Sequence, residues 1–257
     1  MMFLKYSRLT IATITALFVS TSAPAIVGGG APSGDGIGRS VVTIVGSRGN
    51  FCSGTMIAPA IVLTAAHCVS TGATYKIVEY DAQRAPQLRD VAQVAVHPQF
   101  NLQTMLAHRA TADVALLRLV DPLPGKQPSQ LGTPRSPIVV GSRFIIAGIG
   151  VTVRGDGKSG GVVRAASLAA TGQPGILQIR LIDPLTDGNR GGLGACTGDS
   201  GGPVFENQQG RSVMVGVISW STGPNNTAGC GGLTGVTPFS LYRDWIVQTA
   251  RMWGARF

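Results

Sequence analysis

Leu63-Thr64-Ala65-Ala66-His67-Cys68 is an apolar run that reads as a strand ending in a histidine beside a cysteine. Taken alone, such a histidine reads as a packed core residue. Two other stretches change its weight. Thr111-Ala112-Asp113-Val114-Ala115-Leu116-Leu117-Arg118-Leu119 carries a single carboxylate into a hydrophobic strand, where burial is costly unless hydrogen-bond donors meet it. Gly198-Asp199-Ser200-Gly201-Gly202-Pro203 sets a serine among glycines, which let a substrate approach the backbone and leave N–H groups free to donate.

Around these segments the chain after Ile26 is a series of short β-branched runs separated by Gly, Pro, Asn and Asp. They are Val41–Val45, Thr55–Leu63, Lys76–Tyr80, Val91–Val96, Val114–Val120, Arg143–Ile149, Leu177–Ile182 and Val213–Trp220. Strands so spaced predict an all-β chain, an antiparallel barrel or sandwich. Helical spacing is convincing only after Pro238, where Leu241, Trp245, Ile246 and Thr249 share a face and Arg243, Asp244 and Gln248 lie between them. The stretch Asp121–Pro137 holds five prolines and reads as a linker near the middle of the chain, which suits two barrels of similar size. Arg154–Gly161 and Asp187–Gly194 read as glycine-rich loops. The Arg154-Gly155-Asp156 tripeptide within the first is read as a chance match and not as an adhesion motif.

Hydrophobic residues make up 44% of the chain and charged residues 13%, so a sizeable core is available and disorder is excluded. The net charge of +9 gives a basic surface that can favour acidic substrates, anionic polysaccharide or cell envelope, and that is more often only a solubility feature. No run of five like charges occurs, and few aromatics sit among the bases, which argues against nucleic acid. Residues 1–25 read as a signal peptide: Lys5 and Arg8, then the apolar run Leu9 to Ser20, then Ala23-Pro24-Ala25. That run falls short of the roughly 20 residues a spanning helix needs, so the protein is expected to be secreted, extracellular or periplasmic, with no membrane span. The four cysteines (Cys52, Cys68, Cys196, Cys230) predict disulfides in an exported chain, with all three connectivities open. No CxxC pair suggests zinc, and neither metal nor cofactor is expected.

Taken together, the three segments resemble the chymotrypsin-like (trypsin-fold) serine peptidases, whose TAAHC, DVALL-type and GDSGGP signatures stand here in the same order. The resemblance implies two six-stranded antiparallel β-barrels with a C-terminal α-helix. Residues 26–130 would form the N-terminal barrel with His67 and Asp113, and 131–257 the C-terminal barrel and helix with Ser200 and the specificity pocket. It implies a serine endopeptidase that works through an acyl-enzyme, with Ser200 as nucleophile, His67 as general base and Asp113 orienting the imidazole. The N–H groups of Gly198 and Ser200 would form the oxyanion hole. Ile26-Val27-Gly28-Gly29 matches the family's mature N-terminus, whose ammonium would pair with Asp199. Because Ala25 directly precedes Ile26, removal of the leader would itself create that terminus. The resemblance also implies the disulfides Cys52–Cys68 and Cys196–Cys230. His97 in His97-Pro98-Gln99-Phe100-Asn101 is read as structural, and neither it nor His108 as catalytic. Calcium is not expected at Glu79, since the far end of that loop carries Arg89.

Family position assigns Gly194 to the floor of the primary pocket, followed by Ala195, with Asp183 and Asp187 out of register; cleavage after Lys or Arg is therefore not expected. Thr197, Ser219, Trp220 and Ser221 would supply the walls, with Thr234 opposite. Ser221, in place of a family glycine, would narrow the opening and favour small or medium apolar residues, as in elastase-like members. The runner-up is a chymotrypsin-like preference for large apolar or aromatic residues. A glutamate preference would suit the hydroxyls of Thr197 and Ser221 but not Ile218. The reading from another class, a non-enzymatic binding protein on the same scaffold, sits poorly with a complete triad. The expected partners are polypeptide substrates and protein protease inhibitors, and the expected state is a monomer.

Overall fold

Pro59 and Ala60 divide what the sequence suggests is one strand over Thr55–Leu63. Proline fixes its own φ and offers no N–H to a ladder, so the chain turns there and doubles back. The computed structural model describes residues 26–33, 36–69, 71–80, 83 and 85–257, and the expected signal peptide lies outside them. The run becomes a hairpin of β3 (Phe51–Ala58) and β4 (Ile61–Thr64), in which Thr55 pairs with Leu63. Before it come β1 (Ala31–Pro32) and β2 (Val41–Gly46). After it come β5 (Tyr75–Tyr80), β6 (Pro86–Val96), the short helix α1 (Leu102–Leu106) and β7 (Ala115–Leu119). These strands close a barrel in the order β2-β3-β4-β7-β6-β5.

The second half repeats the architecture. Its strands are β8 (Arg143–Gly148), β9 (Arg164–Ala170), β10 (Ile179–Ile182), β11 (Pro203–Gln208), β12 (Arg211–Ser221) and β13 (Thr234–Pro238). They run in the order β8-β9-β10-β13-β12-β11, and β11 pairs back onto β8 to close the ring. The C-terminal helix α2 spans Arg243–Met252 and buries Ile246, Val247, Thr249 and Ala250. The fold is therefore two six-stranded antiparallel barrels followed by a helix. The segment from Ile26 packs on the second barrel and not the first: β1 pairs with β9, and Ile26 is buried among Phe144, Leu181 and Ala195. Residues 121–137 hold no strand, only a bridge from Leu131 to Met214.

Several elements differ from the sequence expectation. The strand expected over Leu177–Ile182 begins at Ile179, because Gly175–Leu177 forms a 3-10 turn. Strand β9 (RAASLAA) is rich in alanine, which carries no strand signal, and so goes unread. Helix α1 is too short to show a period; Asn101 caps it by accepting from Thr104 N at 2.9 Å.

Each barrel has its own core, built on Val42, Met56, Val62 and Leu117 in the first and on Phe144, Ile146, Leu168 and Val204 in the second. A third cluster joins them. Leu63 and Leu116 of the first barrel meet Phe205, Met214 and Phe239 of the second, together with Tyr242 and Ile246 at the C-terminal helix. His97 adds to this seam, its ring edge-on to Tyr242 (5.2 Å) and Trp245 (4.8 Å). The seam sets where the two barrels face each other, and His67, Asp113 and Ser200 all lie at strand ends beside it. Phe239 is fully buried there. Phe239→Ala is expected to cost about 3–5 kcal/mol through lost apolar contact and the cavity left behind, read as a lower urea midpoint in equilibrium unfolding.

Candidate active site

Asp113 sits immediately before Val114 and β7 and has no exposed surface. A buried carboxylate needs donors, and three reach it. The backbone N–H of His67 donates to Oδ1 at 2.9 Å, His67 Nδ1 lies 2.8 Å from Oδ2, and Ser219 Oγ donates to Oδ2 at 2.5 Å. Facing an acceptor-only carboxylate, Nδ1 must carry the proton, which leaves Nε2 of the neutral ring as an acceptor. Two of the three donors come from the turn after β4 and one from β12, so both barrels contribute. Ser219, expected in the pocket wall, is instead buried with its hydroxyl committed to Asp113.

Ser200 stands at the end of the loop that leads into β11. First-barrel Ser53 holds that loop: its N–H donates to Ser200 O (2.9 Å), its hydroxyl donates to Gly198 O (2.8 Å), and the same oxygen accepts from Ile149 N (3.0 Å). Thr64 Oγ1 in turn donates to Ser53 O at 2.8 Å. With the carbonyls of Gly198 and Ser200 tied back, the N–H groups of the same two residues donate to no acceptor among the described residues. Both residues line an open cavity of about 400 Å³ that also contains His67. Gly198 has φ +94°, and a Cβ there would sit 2.7 Å from the Phe51 ring, so only glycine fits. No hydrogen bond joins Ser200 Oγ to His67 among the described residues; the two share the cavity without it. Such bonds are often long before substrate arrives.

Cys52 is bonded to Cys68 and Cys196 to Cys230. The first bridge ties the residue next to His67 to β3, and the second ties the loop before Ser200 to the loop after Thr222. Cys52, His67 and Cys68 crowd together, but disulfide sulfurs are not thiolates and do not form a metal site. Glu79 pairs with Lys126 at 3.5 Å, and its carboxyl is raised by burial. No helix among the described residues is long and apolar enough to cross a membrane.

Of the residues expected around the pocket, Thr197 and Ser221 line the cavity, with Ser221 Oγ donating to Gly229 O at 3.3 Å. Thr234 is fully buried, and its hydroxyl accepts from Ala195 N at 3.0 Å, so it braces the backbone behind the wall. Trp220 lies under His108, whose ring stacks on it at 4.4 Å, with Arg180 at 5.8 Å. Gly194, expected at the pocket floor, is not among the residues that line the cavity; its N–H donates to Val27 O at 3.3 Å, which attaches it to the N-terminal segment. Asp183 is not free to meet a cation: its carboxylate accepts from Leu185 N and Leu193 N, both at 2.9 Å. Sequence reasoning missed Ser53, whose place beside Cys52 is its only mark, and gave Ser219 a different role.

Asp199 is the most perturbed acid. It is fully buried, its carboxylate accepts from Gly150 N (2.8 Å) and Cys196 N (2.9 Å), and no cation pairs with it among the described residues. A Cβ on Gly148 would come within 2.2 Å of Oδ1, so the carboxyl is packed against bare backbone. Desolvation raises its pKa from 3.8 to about 7, and the two amide hydrogen bonds only partly oppose this. Ile26 is buried but is not joined to it.

The Trypsin family's sequence model matches residues 26–246. "Serine protease 1" of Canis lupus familiaris is 28% identical over 78% of this chain and 80% of its own length. "Vitellin-degrading protease" of Bombyx mori is 31% identical over 80% of this chain and 78% of its own. Among solved structures, a mutant of human heparin binding protein (CAP37) superposes with a TM-score of 0.65 at 23% identity, covering 88% of this chain and 97% of that one. That last likeness is one of fold.

The Asp199 carboxyl makes stability depend on pH in a definite direction. The unfolded group ionises near 3.8 while the folded one keeps its proton to about 7, so the unfolded state binds fewer protons between those values. Stability should therefore fall as pH rises from about 4 to about 7 in a chain whose Ile26 is still peptide-linked. Asp199→Asn is expected to flatten that slope, measured by urea unfolding at a series of pH values, whatever its effect on absolute stability.

Proposed function

This chain belongs to the trypsin family of serine endopeptidases, and on that footing we propose that Ser200 is its nucleophile, His67 its general base and Asp113 the residue that holds the base. The observation that carries this reading is the fully buried Asp113 carboxylate bonded to His67 Nδ1 beside a cavity that contains Ser200. As Ser200 Oγ attacks the scissile carbonyl carbon, its proton passes to Nε2 of His67. Asp113 then stabilises the imidazolium without taking the proton. The carbonyl oxygen becomes an oxyanion, which accepts from the N–H groups of Gly198 and Ser200. Each such donor contributes about 3–4 kcal/mol to lowering the barrier. Collapse breaks the C–N bond, the amine leaves with the proton from His67, and an acyl-enzyme remains. Water, deprotonated by the same histidine, then releases the acid and restores Ser200.

Activation follows from Asp199. Leader removal exposes the Ile26 amine, and an ammonium beside this carboxyl favours its ionised form. That pair tightens the loop bearing Gly198 and Ser200. Two disulfides support the reading that the enzyme is secreted; we propose further that it acts as a monomer on polypeptides and is open to protein inhibitors. The boundary between the barrels is placed at residue 130.

For specificity we propose cleavage after small or medium apolar residues and not after Lys or Arg. Gly194 brings no carboxylate, Asp183 is consumed by backbone amides, and Ser221 adds bulk to the cavity wall. A serine-directed phosphonate is expected to label the protein, and Ser200→Ala to abolish labelling and lower kcat/KM by at least about 10⁴-fold. Absence of labelling would favour a binding protein on this scaffold. In a peptide panel that varies only the residue before the cut, Ala, Val and Leu should exceed Phe. Ser221→Gly should raise cleavage after Phe by roughly ten-fold relative to Ala, on the scale that added pocket room allows; strong cleavage after Arg would refute the assignment.

A further inference from the structure

The loop 154–161 offers Arg154, a cation with no part in the chemistry above. Its side chain lines the same cavity as His67, Ser200 and Ser221. It is exposed but tethered: Nη1 donates to Ala228 O at 2.8 Å, across to a loop far away in sequence. A Cβ on Gly229 would lie 3.6 Å from that same nitrogen. Arg154 thus spans the rim of the cavity, from the loop after β8 to the loop after β12. One nitrogen is anchored, and the other N–H donors of the planar fork are left for an incoming group.

No carboxylate answers this charge. Among the described residues no acid pairs with Arg154, and no Asp or Glu lines the cavity. Asp156, two residues on, is turned to its own loop, where it accepts from Lys158 N at 3.0 Å. The Arg-Gly-Asp tripeptide is therefore split between two jobs and does not present a free adhesion pair. Among the described residues that line the cavity, the only ionisable group besides His67 is this one guanidinium.

We infer that Arg154 is a specificity-determining residue that receives a carboxylate side chain of the substrate close to the scissile bond, which gives the enzyme a preference for acidic residues flanking the cut. The inference rests on the endopeptidase reading. It is compatible with a small apolar residue before the cut, because the guanidinium stands at the rim while Ser221 shapes the wall. Pre-anchoring by Ala228 lowers the rotamer freedom lost when substrate binds, so the pair is worth more than a loose surface contact.

The test uses the mature enzyme and Ala-based peptides in which Glu or Gln is placed in turn at each of three positions before the cut and two after it. At one position or more, Glu should exceed Gln in kcat/KM by about three- to ten-fold at low salt, and the ratio should shrink as ionic strength rises. Arg154→Gln should bring that ratio to about one, and Arg154→Glu should invert it in favour of Gln. Equal cleavage of Glu and Gln peptides at every position, or a Glu preference that survives Arg154→Gln, overturns the inference while leaving the endopeptidase intact. Failure to cleave any peptide, together with no phosphonate labelling, overturns both.

Discussion

Burying an ionised carboxylate costs several kcal/mol unless hydrogen-bond donors replace the water it gives up, and Asp113 is buried without any exposed surface. Its donors are drawn from two barrels: the N–H and Nδ1 of His67 from the first, the hydroxyl of Ser219 from the second. The carboxylate is satisfied only when the barrels are docked and β12 is in register. The apolar seam of Leu63, Leu116, Phe205, Met214 and Phe239 supplies the non-directional drive for docking. Asp113 supplies a directional condition on how that docking ends. The orientation of His67 is a consequence of meeting it.

A second set of contacts crosses the same seam. Ser53 of the first barrel holds the carbonyls of Gly198 and Ser200 and braces Ile149. With the carbonyls pulled back, the N–H groups of both residues have no acceptor among the described residues, at the edge of the cavity that contains His67, which is the arrangement the proposed oxyanion hole needs. The loop is thus held from the first barrel, by a side chain that does not line the cavity. The same logic governs Asp199, whose place depends on the bare backbone of Gly148 and Gly150. There the packing raises the cost of charge and makes the carboxyl responsive to any cation brought near it.

The parts of the molecule that were legible in the sequence are those with a local signal. Alternating β-branched runs mark most strands, and helical spacing marks α2, though the helix starts at Arg243, several residues after Pro238. His67, Asp113 and Ser200 stand in segments with distinctive composition. Elements without a local signal were hidden: the alanine-rich β9, the five-residue α1, and the break at Pro59 inside a run that reads as continuous. The pocket was the least legible. Thr234 and Ser219 lie near it in the chain, yet one braces Ala195 and the other meets Asp113.

By itself the sequence determined the class of strands, the three segments that carry the proposed reactive side chains and the absence of a carboxylate at Gly194, because each is carried by residue type and near neighbours. Tertiary structure alone decided what those side chains meet. Ser53 and Gly198 are 145 residues apart, and Ser219 and Asp113 are 106 apart. Arg154 and Ala228, on the two sides of the cavity rim, are 74 apart within the second half. The first two contacts form only when both barrels have closed and docked, and the third only when the second has closed, so no window of sequence contains them.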